Sequence, residues 1–547
     1  MSAGGHLNAA GPLHAVRPLH AAVLGAGTMG TGIAQLLLQA GASVSLIDPA
    51  EAALKRARLS LLNLFERLHA KGRLAEEPGS LLSRLRLGRD HDLMRGAHWV
   101  LEAAPEDLDL KRGLFAAAAR VEPAAKLATN TSTLSVTAIA AACPDPGRLI
   151  GLHFFNPPGL MRLVEVVPGV RTAPELVPAA VELVRRLGRE PVVAKDAPGF
   201  IVNRLARPFY LEALRLHGEG VPVEAVDAAL RGAGFRMGPF ELLDLIGIDV
   251  NLAASESVYR AFYEEPRFRP HPLQRAMVEA GLLGRKTGRG FYPYDDSGDE
   301  ARATVAAGSG GSGPGDDGPP PVPFGAASGS SAGPVFHVVG DGSVAAALRE
   351  ALPTTADPAT ADLVLDARLD AAPGDGVTPR AVLTWGRSAA SAGEKLGFSL
   401  VPRPGGGTLS IELMAAGALP GEQPTAAVEA ARDALEAAGV AVVVLPDVPG
   451  GAAFRVVARL CDEAVRALAE GLATAAELDL AMRLGVNYPA GPLEWGEALG
   501  LRDVHSALRS LQQETSDTRF APHPRLARPA APGAHGSTRG AMEAEET

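Results

Sequence analysis

The sequence predicts an α/β domain built on a parallel sheet, then an all-α domain, then a linker and a shortened, degenerate second copy of both. Three observations carry this. A glycine-rich turn at residues 25–30 lies between a short apolar run and a helical one. From residue 201 to 260 apolar side chains recur at helical spacing, broken at Pro222 and at Gly238-Pro239. Residues 444–450 then echo 193–199, and Gly491-Pro492-Leu493-Glu494 echoes Gly238-Pro239-Phe240-Glu241.

Taken in order, residues 21–24 form a short apolar run fit for a buried strand, and Gly25-Ala26-Gly27-Thr28-Met29-Gly30 follows at once. Residues 33–39 carry helical spacing, and a second apolar run at 44–47 ends on Asp48. Strand, G-x-G-x-x-G turn, helix, strand and terminal acid make the dinucleotide-binding fingerprint of a Rossmann domain. Gly25 allows the tight turn, Gly27 lets the backbone approach a pyrophosphate, and Gly30 lets helix pack on strand. The helix N-terminus offers N–H groups and a positive dipole end to that pyrophosphate. Asp48 would accept hydrogen bonds from the ribose hydroxyls and repel a 2′-phosphate, which favours NAD over NADP. A lone glycine turn is weak evidence; here every neighbouring element is present.

Residues 51–72 read as a long helix with Leu54, Leu59, Leu62 and Leu68 spaced for burial. Its basic end, 67–73, is either a solvated terminus or a contact for an anionic substrate tail. Strands are expected at 99–104, 126–129, 147–155 and 163–167, with a helix beginning near Leu110. The strand at 126–129 delivers Asn130-Thr131-Ser132. The pattern turns helical after Lys195-Asp196-Ala197-Pro198-Gly199-Phe200 and closes on residues 284–292. Expected boundaries are a disordered tail (1–19), the dinucleotide-binding domain (20–197), the all-α domain (198–296) and a Gly/Ser/Pro linker (297–334). A shortened Rossmann-like segment (335–445), a second all-α domain (446–515) and a disordered tail (516–547) complete the chain.

With 547 residues the chain is too long for one core. A net charge of −10 with no basic block argues against a nucleic-acid or anionic-membrane partner. Cys143 and Cys461 are the only cysteines, so no disulfide framework or cysteine metal site is expected, and no metal is assigned. Residues 21–47 carry no charge, yet five glycines and two glutamines interrupt them and the fingerprint explains them better than a membrane span. The first twenty residues lack the apolar core of a secretion signal, and a cytoplasmic protein is expected.

The sharpest chemistry lies at His153, in Gly151-Leu152-His153-Phe154-Phe155-Asn156-Pro157, with Glu165 following in Leu163-Val164-Glu165-Val166-Val167. A histidine paired with a carboxylate is a tuned general base, whereas a lone histidine among apolar residues is more often a satisfied core residue. Ser132, His153 and Glu165 make a poor hydrolase triad, because Ser132 sits in no G-x-S-x-G elbow.

The order GAGTMG, Asp48, NTS, HFFNP, EVV, KDAPGFIVNR, GRKTGRGFY resembles the 3-hydroxyacyl-CoA dehydrogenase family over residues 20–295. The partial second copy, with residues 481–489 and 491–496, is similar to the longer bacterial members of phenylacetate degradation, which oxidise 3-hydroxyadipyl-CoA to 3-oxoadipyl-CoA. The resemblance implies that His153 takes the proton of the 3-hydroxyl while Glu165 orients it and balances its charge. Ser132 and Asn203 would hydrogen-bond the substrate oxygens. Glu106, Lys111, Asn156 and Lys286 match positions around NAD. Lys71, Lys111 and Ser132 match positions near coenzyme A, while Leu64 stands where the family carries a serine. An acyl-CoA substrate and a homodimer are the implied partners. A 3-hydroxybutyryl-CoA dehydrogenase, or an idle dinucleotide-binding protein, is the alternative reading.

In the second copy the same alignment puts Ser399 at the place of His153 and Phe454 at that of Asn203, and the reduced fingerprint ends in Ala345. One active site per chain is expected, with residues 335–515 as scaffold and the helices after Gly450 packed on those after Gly199.

Overall fold

The computed structural model describes residues 19–295, 333–369, 379–402 and 409–527. The expected linker and N-terminal tail fall almost wholly outside them. The chain divides into two compact units, with the boundary between Phe200 and Ile201.

The first unit is an eight-stranded sheet of β1 (His20–Leu24), β2 (Ser43–Ile47), β3 (Leu85–Gly88), β4 (Trp99–Glu102), β5 (Lys126–Thr129), β6 (Leu149–Phe154), β7 (Leu163–Pro168) and β8 (Glu190–Val193). Their order is β3-β2-β1-β4-β5-β6-β7-β8. Neighbours run parallel except β6 and β7, which are antiparallel. Strand order reverses between β1 and β4, and the glycine turn leaves the carboxyl end of β1 at that switch point, where such sheets bind ligands. β3 and β8 were not foreseen, because each is a short run interrupted by charged or small residues.

Helix Glu51–Ala70 forms as expected, but a different stripe is buried: Leu54, Ala57, Leu61 and Phe65. Leu59 is 58% exposed, since it stands off the phase that Leu54 sets at 3.6 residues per turn. Helix Leu108–Val121 starts two residues earlier than the sequence suggests because the Asp107 side chain accepts the N–H of Leu110.

The second unit holds the first all-α domain and the whole second copy. Its sheet comprises β9 (Phe336–Val339), β10 (Leu363–Asp366), β11 (Arg380–Leu383), β12 (Leu396–Ser399), β13 (Ser410–Ala415) and β14 (Ala441–Leu445), in sequential order. Again one neighbouring pair, β12 and β13, is antiparallel. β9 thus corresponds to β1 and β10 to β4, and among the described residues nothing corresponds to β2 and β3. The shortening expected from sequence is the loss of the strands that carry Asp48 in the first copy.

Helix Ala452–Ala469 runs through the middle of this unit, nearly all of it buried, and packs against helix Arg207–Gly218. The contact is reciprocal. Arg204 donates to Glu463 at 2.7 Å and to Glu470 at 2.6 Å. Arg455, its counterpart, donates to Glu212 at 2.6 Å and also to Glu219. Each copy contributes the same arginine and the same two glutamates, the self-complementary pattern of an isologous interface inside one chain. Residues 516–527, expected to be disordered, instead form short turns with Phe520 and Leu526 buried. Their polar composition hid these two apolar anchors.

Candidate active site

His153 on β6 and Glu165 on β7 are directly opposed in the antiparallel register. Opposed residues project from the same face, so the pairing follows from the hairpin itself. His153 Nδ1 lies 2.6 Å from a carboxylate oxygen of Glu165, which is fully buried, while His153 is 5% exposed. A carboxylate can only accept here, so Nδ1 carries the proton and Nε2 keeps its lone pair as a base. The rings of Phe155, at 4.4 Å, and Phe200, at 5.8 Å, hold the imidazole in place.

Ser132 stands in the loop after β5, beside β6. Asn130 ties that loop to β6 by accepting the N–H of Phe154 at 2.9 Å. Glu106 gathers the rest of the loop, accepting from the hydroxyl of Thr131 and from the N–H groups of Ser132 and Thr133. Burial alone would raise the Glu106 pKa, yet the Lys111 ammonium and those donors hold it down at about 2. Lys111 is itself 1% exposed and donates to Glu102 at 2.7 Å, with Glu106 at 3.3 Å. Thr129 adds a buried hydrogen bond to Glu102. This string of polar groups, buried at Glu102, Lys111, Thr129 and Thr131 and reaching the surface at Glu106, went unforeseen, since only the fold brings these residues together. Lys111 therefore lies under the loop, joined to Glu106.

At the glycine turn, Gly25 adopts φ +104°, and a Cβ there would meet the Ala103 carbonyl oxygen at 2.7 Å. A Cβ on Gly30 would meet the Gly25 carbonyl oxygen at 1.9 Å, whereas the space at Gly27 is open. Helix Thr28–Gln39 begins on Gly27 with no side-chain cap. The cradle fits a pyrophosphate for that reason: close helix packing at Gly30, an open approach at Gly27, and first-turn N–H groups beside it. Thr28 and Met29 supply the first two of those groups. Asp48 accepts the Ala26 N–H at 2.8 Å, so the acid that would hold the ribose also braces the turn.

Asn156 is exposed in the loop that follows β6. Lys71 ends helix Glu51–Ala70 and lines a cleft of about 900 Å³ in the first unit. Ser60, one turn before Leu64, lines the same cleft and supplies a hydroxyl where Leu64 has none. Asn203 and Lys286 belong to the second unit. Asn203 lies in helix Val202–Leu205, its carbonyl accepting from Arg207 at 2.8 Å, and Lys286 is ion-paired with Asp249.

The second copy repeats this architecture with the chemistry removed. Ser399 faces Glu412 across β12 and β13 as His153 faces Glu165. Asp447 accepts the N–H groups of Ala389 and Ala390, as Asp196 accepts those of Val136 and Thr137. In this register Trp385 stands at the place of Ser132. It stacks on Phe454 with ring centroids 4.3 Å apart, and both are buried. Glu412 accepts from the N–H groups of Ala452 and Ala453, and burial still pushes its pKa up to about 7. A serine is far too weak a base to replace His153, and the stacked rings of Trp385 and Phe454 take the places of Ser132 and Asn203.

Fold and site together define an NAD-dependent oxidoreductase. Residues 20–197 match the NAD binding domain of 3-hydroxyacyl-CoA dehydrogenase, and residues 199–294 and 450–543 match its C-terminal domain. The chain belongs to the 3-hydroxyacyl-CoA dehydrogenase family, whose members oxidise 3-hydroxyacyl-CoA with NAD. It is 38% identical over 511 residues to the 3-hydroxyadipyl-CoA dehydrogenase of Escherichia coli (strain K12), covering 92% of this chain and 95% of that one. A probable 3-hydroxybutyryl-CoA dehydrogenase of Deinococcus radiodurans is 40% identical over 275 residues, which is 50% of this chain and 99% of the relative. The crystal structure of a 3-hydroxybutyryl-CoA dehydrogenase from Escherichia coli K12 superposes with a TM-score of 0.71 at 36% identity, covering 93% of this chain and 98% of that one. Among the described residues no helix is long and apolar enough to cross a membrane.

Proposed function

We propose that this protein oxidises (S)-3-hydroxyadipyl-CoA to 3-oxoadipyl-CoA in the cytoplasm, as a step of phenylacetate catabolism. The His153–Glu165 pair at 2.6 Å carries the catalytic part of the reading. The acyl preference is supported by the E. coli relative that matches 92% of the chain. The glycine turn, the helix N-terminus behind it and Asp48 would hold NAD, which would supply the acceptor for the hydride leaving C3 of the substrate. His153 Nε2 takes the hydroxyl proton at the same carbon, and buried Glu165 stabilises the imidazolium that results. Ser132 and Asn203 hydrogen-bond the substrate oxygens and hold C3 in line, which is where positioning lowers the barrier. Glu106, Asn156 and Lys286 serve the cofactor, and Lys71 the coenzyme A.

The second reading is a 3-hydroxybutyryl-CoA dehydrogenase, favoured by the name of the superposing structure. Comparing kcat/KM for 3-hydroxyadipyl-CoA and 3-hydroxybutyryl-CoA decides between them. The adipyl reading requires the first to be higher, and an equal or lower value overturns it. A homodimer of the whole chain would have to use a face other than the Arg204–Glu463 contact, which the second copy already fills. Sedimentation of the intact chain tests that assembly.

Cofactor choice follows from Asp48. The carboxylate would repel a 2′-phosphate, so kcat/KM with NAD is expected to exceed that with NADP by a large factor. Asp48→Ala narrows the gap mainly by weakening NAD, because the variant loses the ribose acceptor and the brace to Ala26 together. Equal use of both cofactors by the wild type contradicts the role given to Asp48. Calorimetric titration with NADH is expected to give one site per chain, because among the described residues the second copy has no counterpart of β2 and Asp48. Two sites would contradict it.

A further inference from the structure

The cleft beside the glycine turn collects charge of one sign. Among the described residues, Arg56, Arg67, Lys71, Arg73 and Arg189 line it and no carboxylate does. In a chain of net charge −10, five cations around one cavity of about 900 Å³ form a local positive field suited to a polyanion. Four of the five come from helix Glu51–Ala70 and the residues after it. Arg189 reaches the cleft from the turn just before β8, more than a hundred residues further along the chain.

Arg189 differs from the others in its surroundings. Its guanidinium donates to the carbonyl oxygens of Gly159, at 2.9 Å, and Gly188, at 3.3 Å. Its Nε is buried and, among the described residues, has no hydrogen-bond partner. Burial, with Arg162 nearby, disfavours its charged form. A half-buried cation that lines the cleft, held by one bond from each terminal nitrogen and beside another cation, keeps guanidinium N–H groups that an anion would satisfy. Its bond to Gly159 also fixes the loop of Pro157, Pro158 and Gly159 that walls the cleft.

We infer that Arg189 is a phosphate ligand for the nucleotide end of the coenzyme A substrate. The inference rests on the acyl-CoA reading above and adds to Lys71 a residue that sequence resemblance does not mark. The planar fork of arginine matches a phosphate better than a lysine does. Since the cleft also reaches Ala26, Gly27 and Thr28, the NAD pyrophosphate is the competing source of the same chemistry, and the test separates the two.

Wild type and Arg189→Gln are compared on three thioesters of (S)-3-hydroxybutyrate: with coenzyme A, with 3′-dephospho-coenzyme A and with N-acetylcysteamine. Loss of one charge-assisted contact is expected to raise KM for the coenzyme A thioester about tenfold or more. The kcat value, KM for the N-acetylcysteamine thioester and KM for NAD should stay near wild type. If the dephospho thioester is spared, Arg189 holds the 3′-phosphate; if it suffers equally, Arg189 holds the pyrophosphate. Arg189→Lys keeps the cation and should recover part of the affinity. An unchanged KM for the coenzyme A thioester overturns the inference. So does an equal rise with N-acetylcysteamine, which would mean a displaced loop, or a rise in KM for NAD instead. Calorimetric binding of free coenzyme A to both proteins decides the point independently of turnover. A wild type that binds coenzyme A yet oxidises neither these thioesters nor (S)-3-hydroxyadipyl-CoA refutes the functional reading, while weaker coenzyme A binding by Arg189→Gln still supports this inference and equal binding overturns it.

Discussion

Replacing His153 with glutamine is expected to remove most turnover while leaving NAD binding intact. Glutamine keeps the size of the side chain but cannot take the hydroxyl proton. Loss of a general base is typically worth 10² to 10⁴-fold, about 3 to 5 kcal/mol of barrier. The effect should fall on kcat and leave the Kd for NADH unchanged, since the glycine turn and Asp48 are untouched. Glu165→Gln should also be damaging, because the amide can turn a donor toward Nδ1 and the buried imidazolium loses its counter-charge. A His153→Gln protein with more than about half the wild-type rate would show that proton transfer belongs to another residue.

The second large effect is one of stability, at the join between the copies. Arg455 is fully buried between Glu212 and Glu219, so Arg455→Ala strands a carboxylate that is only 2% exposed. Removing one partner of a buried pair is expected to cost about 3 to 5 kcal/mol. Arg215 and Arg519, at 3.7 and 3.9 Å from Glu212, place this case at the lower end of that range. Arg432→Ala, which breaks an exposed pair with Asp433, should change stability by about 1 kcal/mol or less. Urea unfolding of the intact chain, followed by the fluorescence of Trp385 and Trp495 in the second unit, measures both. Equal midpoints for the two variants would contradict the buried, reciprocal role of Arg455.

Much of this was legible in the sequence, and the physical reason is the same in each case. The glycine turn, Asp48 and the His153–Glu165 pair are local: a turn, a strand end and one hairpin place them. Ser399 and His153 correspond because each faces a glutamate across the antiparallel pair of its sheet, so register fixes them. What escaped the sequence depends on packing between distant segments. Lys111, which the resemblance places near NAD and coenzyme A, lies buried on Glu102. Trp385 meets Phe454, and Arg189 meets the cations of the helix that starts at Glu51, only through the fold. Leu59 shows the opposite error, because counting leucines along a helix does not set the phase of its buried face.

The central claim is that one site per chain oxidises an (S)-3-hydroxyacyl-CoA with NAD through His153. The most direct measurement mixes purified protein, NAD and (S)-3-hydroxyadipyl-CoA and follows NADH absorbance, with the His153→Gln protein alongside. Steady NADH formation by the wild type, reduced at least about a hundredfold in the variant, is the predicted result. NADH binding with no NADH formation from this or any (S)-3-hydroxyacyl-CoA, or equal rates from both proteins, would contradict it.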